Sequence, residues 1–406
     1  MVHYLSALYR ALRSRQEIGF HNLNLPATQR WRLTWQMGGR ASDIRLPSKW
    51  SFTLGDSAFG RDRNGLSEFA STQDFERVFA HVLPQNFPVL YLEAFRQAKT
   101  EFLRGSSRIP DVLVSATGWL FNEPFKFLAA EAVERGSRLV AAQHGGAYGI
   151  RRYQVSERHE SRISDSFLVW GWAGSKDQVL QNQPSPGLSA LTANGIKNRP
   201  GKKAESILFV GTANPRYFCR FHSTPVGAQW GDYFDWQLRF LDEVSQRVRR
   251  HMRFRAYAVD FSWHVQKRIS DRFPDLPLDD GRPIDKRINE SRLVVIDHPT
   301  TTMLETFVSN VPTILFYDPQ RWEARDEAEP YLESLRRVGI SWGSPEEAAA
   351  KLEAVYDDPW AWWGSKEVQD VRREFVERYA YARKDWARCW AEALKREVAL
   401  SQARVK

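Results

Sequence analysis

Short apolar runs that alternate with helical patterns constrain the fold of this 406-residue chain more than any other feature. Residues 111–115 and 138–142 are apolar runs of the buried-strand type, and residues 122–134 between them have a helical pattern. A strand, a helix and a strand in this order form a βαβ unit, which requires a parallel sheet with helices on its faces. Residues 167–170 predict a further short strand.

A second series of the same kind follows residues 198–205 (NRPGKKAE), which are polar and interrupted by proline and glycine, as is typical of a linker. Strands are predicted at 207–210, 254–259, 293–296 and 313–316, and helices at 232–250 and 303–309. We therefore predict an N-terminal α/β domain over 1–200, a Rossmann-like domain over 201–345, and helices over 346–406 that pack back on the domains. Residues 1–85 show no clear pattern beyond an opening helix.

The loops that follow the predicted strands are the candidate ligand sites, because open parallel sheets bind ligands at the carboxyl ends of their strands. The loop 297–305 (DHPTTTMLE) follows one strand and opens a helix. Hydroxyl groups beside the free N–H groups of a helix start form a phosphate site. The residues predicted to bind there are His298, Thr300, Thr301 and Thr302, with Glu305 placed for ribose hydroxyls.

An alternative interpretation of this loop is a capping box, in which one threonine caps the helix and a glutamate three residues later bonds back. It accounts for one threonine and for Glu305, but it leaves the His-Pro pair and the threonine triplet without a role.

Two further loops follow strands and carry glycine, which lets the backbone approach a ligand closely. They are residues 143–149 (QHGGAYG) and 211–216 (GTANPR). Their candidate ligand-binding residues are Gln143, His144, Gly145, Gly146, Gly211 and Thr212. Arg151 and Arg152 come directly after the first loop, and a guanidinium group can bind a carboxylate or a phosphate in bidentate fashion.

Asp232 lies in an aromatic segment, WGDYFDW, near the start of a predicted helix. A carboxylate in such surroundings can act as a base or as a nucleophile. The alternative is that Asp232 is the N-cap of that helix, since aspartate is among the preferred N-cap residues.

Several classes of protein are disfavoured by what the sequence lacks. It has two cysteines, no HExxH motif, no DxD motif after a strand and no P-loop motif, so no metal is expected. No apolar run approaches the roughly 20 residues that a membrane span needs. The formal charge of +9 suits an anionic ligand or an anionic membrane surface, but interleaved acidic and basic residues do not indicate nucleic acid.

The motif QHGGAYG, the run of Glu160, Arg162 and Asp165, and the motif DHPTTTMLE together resemble bacterial surface-polysaccharide transferases. The His-Pro pair followed by hydroxyl residues is similar to the cytidine-monophosphate site of GT-B sialyl- and Kdo-transferases. With Asp232 added, the sequence most resembles the retaining β-Kdo glycosyltransferase family, including the N-terminal transferase domain of multidomain O-antigen synthases.

This resemblance implies a modified GT-B architecture, in which two Rossmann-like domains face each other across a cleft. The first domain would serve the acceptor and the second the donor, CMP-β-Kdo, with no further cofactor. Asp232 would be the nucleophile of a double displacement with net retention. His298 and the three threonines would hold the CMP phosphate, and Glu305 the ribose.

Other roles rest on charge and chemistry alone. The candidates for binding the sugar carboxylate are Arg151, Arg152 and Arg255, and the unranked candidates for acid–base catalysis are Glu157, Glu160 and His264. The expected acceptor is a lipid-linked oligosaccharide or polysaccharide of O-antigen or capsule type. That would place a cytoplasmic enzyme peripherally at the inner membrane, fused to or partnered with other glycosyltransferase domains.

Two other functions are compatible with the sequence. One is an inverting CMP-sugar transferase of the sialic-acid type, which would use a base instead of a nucleophile. The other is a non-catalytic carbohydrate- or RNA-binding module.

Overall fold

The computed structural model describes residues 17–47, 63, 65–67, 73–104, 109–174, 177–195, 206–217 and 222–404. The predicted opening helix, the predicted linker 198–205 and the domain boundary at 200 and 201 lie outside the described residues. The chain divides into two compact units. The first holds the described parts of Met1–Asn22, Gly39–Leu139 and Glu397–Lys406, and the second those of Leu23–Gly38 and Val140–Arg396.

The strands are β1 (Ile18–His21), β2 (Ala41–Asp43), β3 (Val112–Ser115), β4 (Arg138–Ala142), β5 (Ser166–Val169), β6 (Leu180–Asn182), β7 (Ile207–Val210), β8 (Met252–Arg255), β9 (Leu293–Ile296), β10 (Thr313–Phe316) and β11 (Ser341–Trp342). The helices are α1 (Ala27–Gln36), α2 (Asp74–Asn86), α3 (Phe95–Leu103), α4 (Gly118–Phe121), α5 (Glu123–Glu134), α6 (Val155–Ile163), α7 (Pro186–Gly195), α8 (Gln229–Glu243), α9 (Gln246–Arg249), α10 (Val265–Arg272), α11 (Ile284–Glu290), α12 (Thr301–Val308), α13 (Glu329–Arg337), α14 (Pro345–Val355), α15 (Pro359–Trp363), α16 (Lys366–Tyr379) and α17 (Trp386–Arg404). Short 3₁₀ turns occur at Gly65–Ser67 and Val89–Tyr91.

The first unit contains the parallel strands β2, β1 and β3, with β1 in the middle. Helix α5 begins where the side chain of Asn122 accepts a hydrogen bond from the Phe125 amide at 2.9 Å, which satisfies one of the free donors of the helix start. Phe125 then packs in a buried cluster with Leu113 of β3 and Trp119. Burial of this apolar face is what holds the helix against the strands.

The second unit contains the last three residues of β4, which are parallel to β5, and the strand β6, which is parallel to β5 as well. It also contains a separate five-stranded sheet in the order β11, β10, β9, β7, β8. All neighbouring strands of the five-stranded sheet are parallel. All four residues of β7, of β9 and of β10 are buried, as expected for parallel strands covered on both faces. The carboxyl ends of β7, β9 and β10 therefore lie side by side at one edge of this sheet.

The predicted α/β class, with two series of parallel strands and a helical C-terminal segment, is confirmed. Two predicted elements were too long. The strand predicted at 254–259 ends at Arg255, because the chain then leaves the sheet and exposes Tyr257 and Val259. The helix predicted at 232–250 ends at Glu243, because Val244 is extended and Ser245 caps the separate helix α9. No described helix is long and apolar enough to cross a membrane.

Candidate active site

One buried carboxylate, Asp297, connects the segments that follow β7 and β9 with helix α8. Its Oδ1 accepts hydrogen bonds from the Tyr233 hydroxyl at 2.7 Å and from His298 Nδ1 at 2.8 Å, and its Oδ2 accepts one from Gln237 Nε2 at 2.5 Å. The Tyr233 oxygen in turn accepts the Thr212 amide at 2.9 Å. A buried carboxylate with this many donors holds its neighbours in one arrangement.

Gly211 has a steric role beside this network. A Cβ atom at this position would lie 2.8 Å from Gln237 Nε2, the atom that donates to Asp297. A larger residue would therefore displace the glutamine, so the glycine permits the close approach of β7 to helix α8.

His298 and the threonines open helix α12 as the sequence predicts, but the capping box is wrong. Thr300 occupies the N-cap position without a side-chain cap bond, and Glu305 lies five residues beyond it instead of three. His298 is buried and bonds Asp297 through Nδ1, so that nitrogen carries the proton when it donates. The first turn of α12 contains no acidic residue, which leaves its N–H groups suited to an anion.

The glycine loop after β4 contacts the threonine loop after β9. The Gly146 amide donates to Thr301 Oγ1 at 3.0 Å, and a Cβ on Gly146 would lie 2.7 Å from the backbone nitrogen and Cα of Thr301. A Cβ on Gly145 would instead meet its nearest atom, Thr301 Oγ1, at 3.8 Å. Gly146 thus has to be a glycine for this contact, whereas Gly145 does not.

Gln143 holds the same loop from within. Its Oε1 accepts the Trp170 amide at 2.9 Å and Trp172 Nε1 at 2.8 Å, and its Nε2 donates to the Gly145 carbonyl at 2.8 Å. Both ends of the buried amide are used inside the protein. The predicted contact of Gln143 with a ligand stays a prediction.

Asp232 is on the first turn of α8 and is not its cap, because the helix begins at Gln229 and Ala228 occupies the cap position. The N-cap interpretation is therefore wrong. Asp232 is 62% exposed, and its Oδ2 accepts a hydrogen bond from Arg321 Nη2 at 3.1 Å. It lines a cavity together with Tyr233, Asp297, Asp318, Arg321 and Trp322.

Glu305 is a half-buried acid one turn into helix α12. Its pKa is raised to about 7, chiefly by burial and also by the nearby Asp285, although Arg255 acts in the opposite direction. Glu305 therefore changes its charge near neutral pH, which is unusual for a glutamate.

The three predicted carboxylate-binding arginines have different surroundings. Arg255 Nη1 donates to Asp279 at 2.6 Å and to the Arg282 carbonyl at 2.8 Å. Arg152 is exposed. Arg151 is buried, donates to Gln154 Oε1 at 3.3 Å and lies over the Trp322 ring at 5.2 Å. Burial lowers the pKa of Arg151 to about 10.

None of the three acid–base candidates lines the cavity that Asp232 lines. Glu157 accepts the Gly149 amide at 2.8 Å and pairs with Arg325 at 2.7 Å. Glu160 is fully buried and accepts the Tyr148 hydroxyl at 2.9 Å.

Two histidines complete the set of predicted site residues. His144 lies 3.2 Å from the Tyr148 hydroxyl and 3.7 Å from Glu160 Oε1. His264 is 70% exposed, 3.4 Å from Asp260, and has a left-handed backbone with φ of 57°. Within the described part of the chain, no three His, Cys, Asp or Glu side chains are grouped so as to hold a metal ion.

The segment after β10 was not among the predicted site loops, yet it contributes Asp318, Arg321 and Trp322 to the cavity. The signal was present, because these residues belong to a polar and aromatic loop (YDPQRW) directly after a predicted buried strand. The same rule that selected the loops after β7 and β9 would have selected this loop.

Parallel sheets flanked by helices, polar loops at the carboxyl ends of their strands and a helical C-terminal segment fit the GT-B class of transferase folds. A family model described as LIC12162 family transferase matches residues 1–394, so the chain belongs to this family of transferases. No curated protein matches the chain.

Three solved structures illustrate the similarity of this chain to known proteins, all at low sequence identity. MurG of Acinetobacter baumannii is 10% identical over 93% of this chain and 99% of its own, with a TM-score of 0.45. The wall teichoic acid polymerase TagF, soaked with CDPG, is 8% identical over 97% of this chain and 90% of its own, with a TM-score of 0.45. The spinosyn forosaminyltransferase SpnP is 11% identical over 95% of this chain and 99% of its own, with a TM-score of 0.41.

Proposed function

We propose that this transferase is a glycosyltransferase that moves β-Kdo from CMP-β-Kdo to a saccharide acceptor with net retention. The observation that carries the proposal is the position of Asp232. Its carboxylate lines the same cavity as Asp297, which begins the His-Pro-Thr loop. A potential nucleophile thus lies beside a potential phosphate site, as a double displacement at a glycosyl phosphate requires.

The donor nucleotide would bind at the start of helix α12. His298 and the hydroxyls and amides of Thr300, Thr301 and Thr302 would hold the CMP phosphate, since this helix start lacks acidic residues. Glu305 would accept hydrogen bonds from the ribose hydroxyls. Nucleoside monophosphate is a leaving group that needs no metal, so the proposal includes none.

Transfer would take place in two displacements. The Asp232 carboxylate attacks the anomeric carbon, the bond from that carbon to the phosphate oxygen breaks, and CMP leaves with the electron pair. An acceptor hydroxyl then attacks the same carbon, its proton passes to a base, and the electron pair of the ester bond returns to Asp232. Two inversions leave the configuration unchanged.

The residues that shape the donor pocket, act as acid or base, and bind the sugar carboxylate would be those predicted from the sequence. The glycine loop with Gln143, His144, Gly145 and Gly146, and the loop with Gly211 and Thr212, would shape the donor pocket. Glu157, Glu160 and His264 remain the candidates for acid–base catalysis, and Arg151, Arg152 and Arg255 those for the sugar carboxylate. We further propose a donor-binding domain over 201–345 and an acceptor-side domain over 1–200.

The acceptor would be a lipid-linked oligosaccharide or polysaccharide of a bacterial surface, either O-antigen or capsule. Such an acceptor would bring the enzyme to the cytoplasmic face of the inner membrane. The formal charge of +9 supports this location, because positively charged proteins are attracted to anionic lipid headgroups.

The decisive experiment needs no acceptor. The protein is incubated with a panel of nucleotide sugars that includes CMP-Kdo and CMP-sialic acid, and released CMP and intact protein mass are measured. We expect one equivalent of CMP from CMP-Kdo and a mass increase of one anhydro-Kdo unit. Asp232→Asn should abolish both while retaining affinity for CMP.

Asp235→Asn is the matched control, because Asp235 lies on the same helix and is also 62% exposed, but it does not line the cavity with Asp297. This variant should form the adduct like the parent. An adduct that persists in Asp232→Asn would rule out Asp232 as the nucleophile.

An inverting transferase is a second candidate, and one observation favours it. The buried pair of Asp297 and His298, with 2.8 Å between Oδ1 and Nδ1, is the carboxylate–imidazole arrangement that orients a histidine base. In that case His298 would deprotonate the acceptor and no adduct would form. The anomeric configuration of the product distinguishes the two mechanisms.

A further inference from the structure

Among the described residues, Arg321 is the cation that forms an ion pair with the proposed nucleophile, although Arg321 lies in the segment after β10 and Asp232 lies on helix α8. Its Nη2 donates to Asp232 Oδ2 at 3.1 Å, and its Nε lies 3.9 Å from Asp318 Oδ2. The Arg321 amide donates to the Asp318 carbonyl at 3.1 Å, so the turn after β10 holds the arginine in place. Among the described residues, Asp232 and Asp318 are the acids within 4.0 Å of its nitrogen atoms.

The chemistry of the proposed donor makes this contact significant. In an ulosonic acid such as Kdo, the carboxylate is attached directly to the anomeric carbon. An attacking oxygen has to approach that carbon to about 3 to 3.5 Å. The donor carboxylate and the Asp232 carboxylate therefore come close to each other at the moment of attack, and two like charges repel.

We propose that Arg321 bridges the two carboxylates, as a positioning and specificity-determining residue for acidic sugar donors. This inference rests on the proposed function. One part of the guanidinium keeps its hydrogen bond to Asp232, and the remaining N–H groups bind the donor carboxylate. A guanidinium has five N–H donors in a rigid plane, so it can serve two carboxylates at once.

The location of Arg321 separates sugar recognition from nucleotide recognition. The nucleotide is assigned to the loop that begins at Asp297 and to helix α12, whereas Arg321 contacts the nucleophile. Loss of Arg321 should therefore weaken binding of the sugar part and slow the attack, while CMP alone binds as before. A neutral sugar donor would gain nothing from this arginine.

The competing explanation is an ordinary surface ion pair, because Arg321 is 36% exposed and Asp232 62%. Exposed pairs contribute little to stability. If this pair has no other role, its removal leaves the affinity for the donor unchanged. The two explanations differ in whether the affinity for the sugar part depends on Arg321.

The test compares Arg321→Gln and Arg321→Lys with the control Arg239→Gln. Arg239 is on helix α8, is 45% exposed and pairs with Glu346 at 2.7 Å, away from the cavity. Calorimetry measures the affinity for CMP and for a non-transferable CMP-Kdo analogue, and rapid mixing measures the rate of adduct formation from CMP-Kdo.

We expect Arg321→Gln to weaken binding of the analogue about 10-fold or more, as for a lost charge-assisted hydrogen bond. Its affinity for CMP should stay within about twofold of that of the parent. Adduct formation should slow by at least the same factor. Arg321→Lys should recover part of the loss because it retains the charge, and Arg239→Gln should match the parent.

Three results would overturn the inference. Equal analogue affinity and adduct rate in Arg321→Gln and Arg239→Gln would make Arg321 a surface ion pair. An equal loss of CMP and analogue binding would show a structural defect. If the parent protein forms no adduct with CMP-Kdo, the proposed function fails, and this inference fails with it.

Discussion

The contact between Gly146 and Thr301 gives a sharp test of how the two proposed donor loops meet. In Gly146→Ala the new methyl group would lie 2.7 Å from the backbone nitrogen and Cα of Thr301 and 2.8 Å from the carbonyl carbon of Thr300. Backbone atoms cannot rotate away as a side chain can. The loop after β4 or the start of helix α12 therefore has to move.

The size of the effect follows from these distances. Ordinary van der Waals contact begins at 3.4 Å, so the two loops would have to separate by about 0.7 Å. The hydrogen bond from the Gly146 amide to Thr301 Oγ1, now 3.0 Å, would then be broken. Overpacking of this kind costs about 1 to 3 kcal/mol. A gain of about 0.4 to 1 kcal/mol offsets part of the cost, because alanine restricts the unfolded chain.

Gly145→Ala is the matched control, because its methyl group would meet nothing closer than 3.8 Å. We expect Gly146→Ala to lower the free energy of unfolding by up to about 2.6 kcal/mol and Gly145→Ala to raise it by about 0.4 to 1 kcal/mol. Urea unfolding followed by circular dichroism measures both differences. Shifts of the same sign and size in the two variants would refute the contact between Gly146 and the helix start.

Two further predictions concern the proposed nucleotide site. His298→Ala and Thr301→Val should each weaken CMP binding by about 1 to 3 kcal/mol in calorimetry, since each removes a donor to the phosphate; unchanged affinity in both would exclude this loop. The pKa of Glu305 is raised from 4.5 to about 7, so the stability that its protonated form provides is complete below 4.5 and is lost as pH rises through 7. Glu305→Gln should therefore exceed the parent in stability by at most about 3 kcal/mol near pH 8.5 and match it near pH 4.5. Urea midpoints that differ equally at both pH values would contradict this assignment.

The central strands could be predicted from the sequence because they are buried on both faces. The strands at Ile207–Val210, Leu293–Ile296 and Thr313–Phe316 are unbroken apolar runs, and each has the predicted bounds. The residues after Arg255 (AYAV) are also apolar, yet Tyr257 and Val259 are about half exposed outside the sheet. A short apolar run does not reveal whether its last residues stay in the sheet.

The sequence predicts the individual loops of the candidate site better than it predicts which loops lie next to each other. The rule that ligands bind after strands identifies the loops that contain Asp297 and Thr212, but it does not give the order of the strands. The observed order β10, β9, β7 brings the segment with Arg321 next to these loops. The pairing of Arg321 with Asp232, 89 residues apart, depends on that order and on the position of helix α8.

The hydrogen bonds of Asp297 fix the geometry between the proposed phosphate site and the proposed nucleophile, which lie on separate elements. Its Oδ1 accepts hydrogen bonds from His298 and from the Tyr233 hydroxyl, and its Oδ2 accepts one from Gln237. Tyr233 directly follows Asp232 on helix α8, so the helix turn that carries the proposed nucleophile is tied to the loop that would hold the phosphate. Apolar packing alone tolerates small shifts between elements, whereas a buried carboxylate with directed donors has one satisfied arrangement. This buried network therefore sets the distance between Asp232 and the proposed phosphate site, on which attack at the anomeric carbon depends.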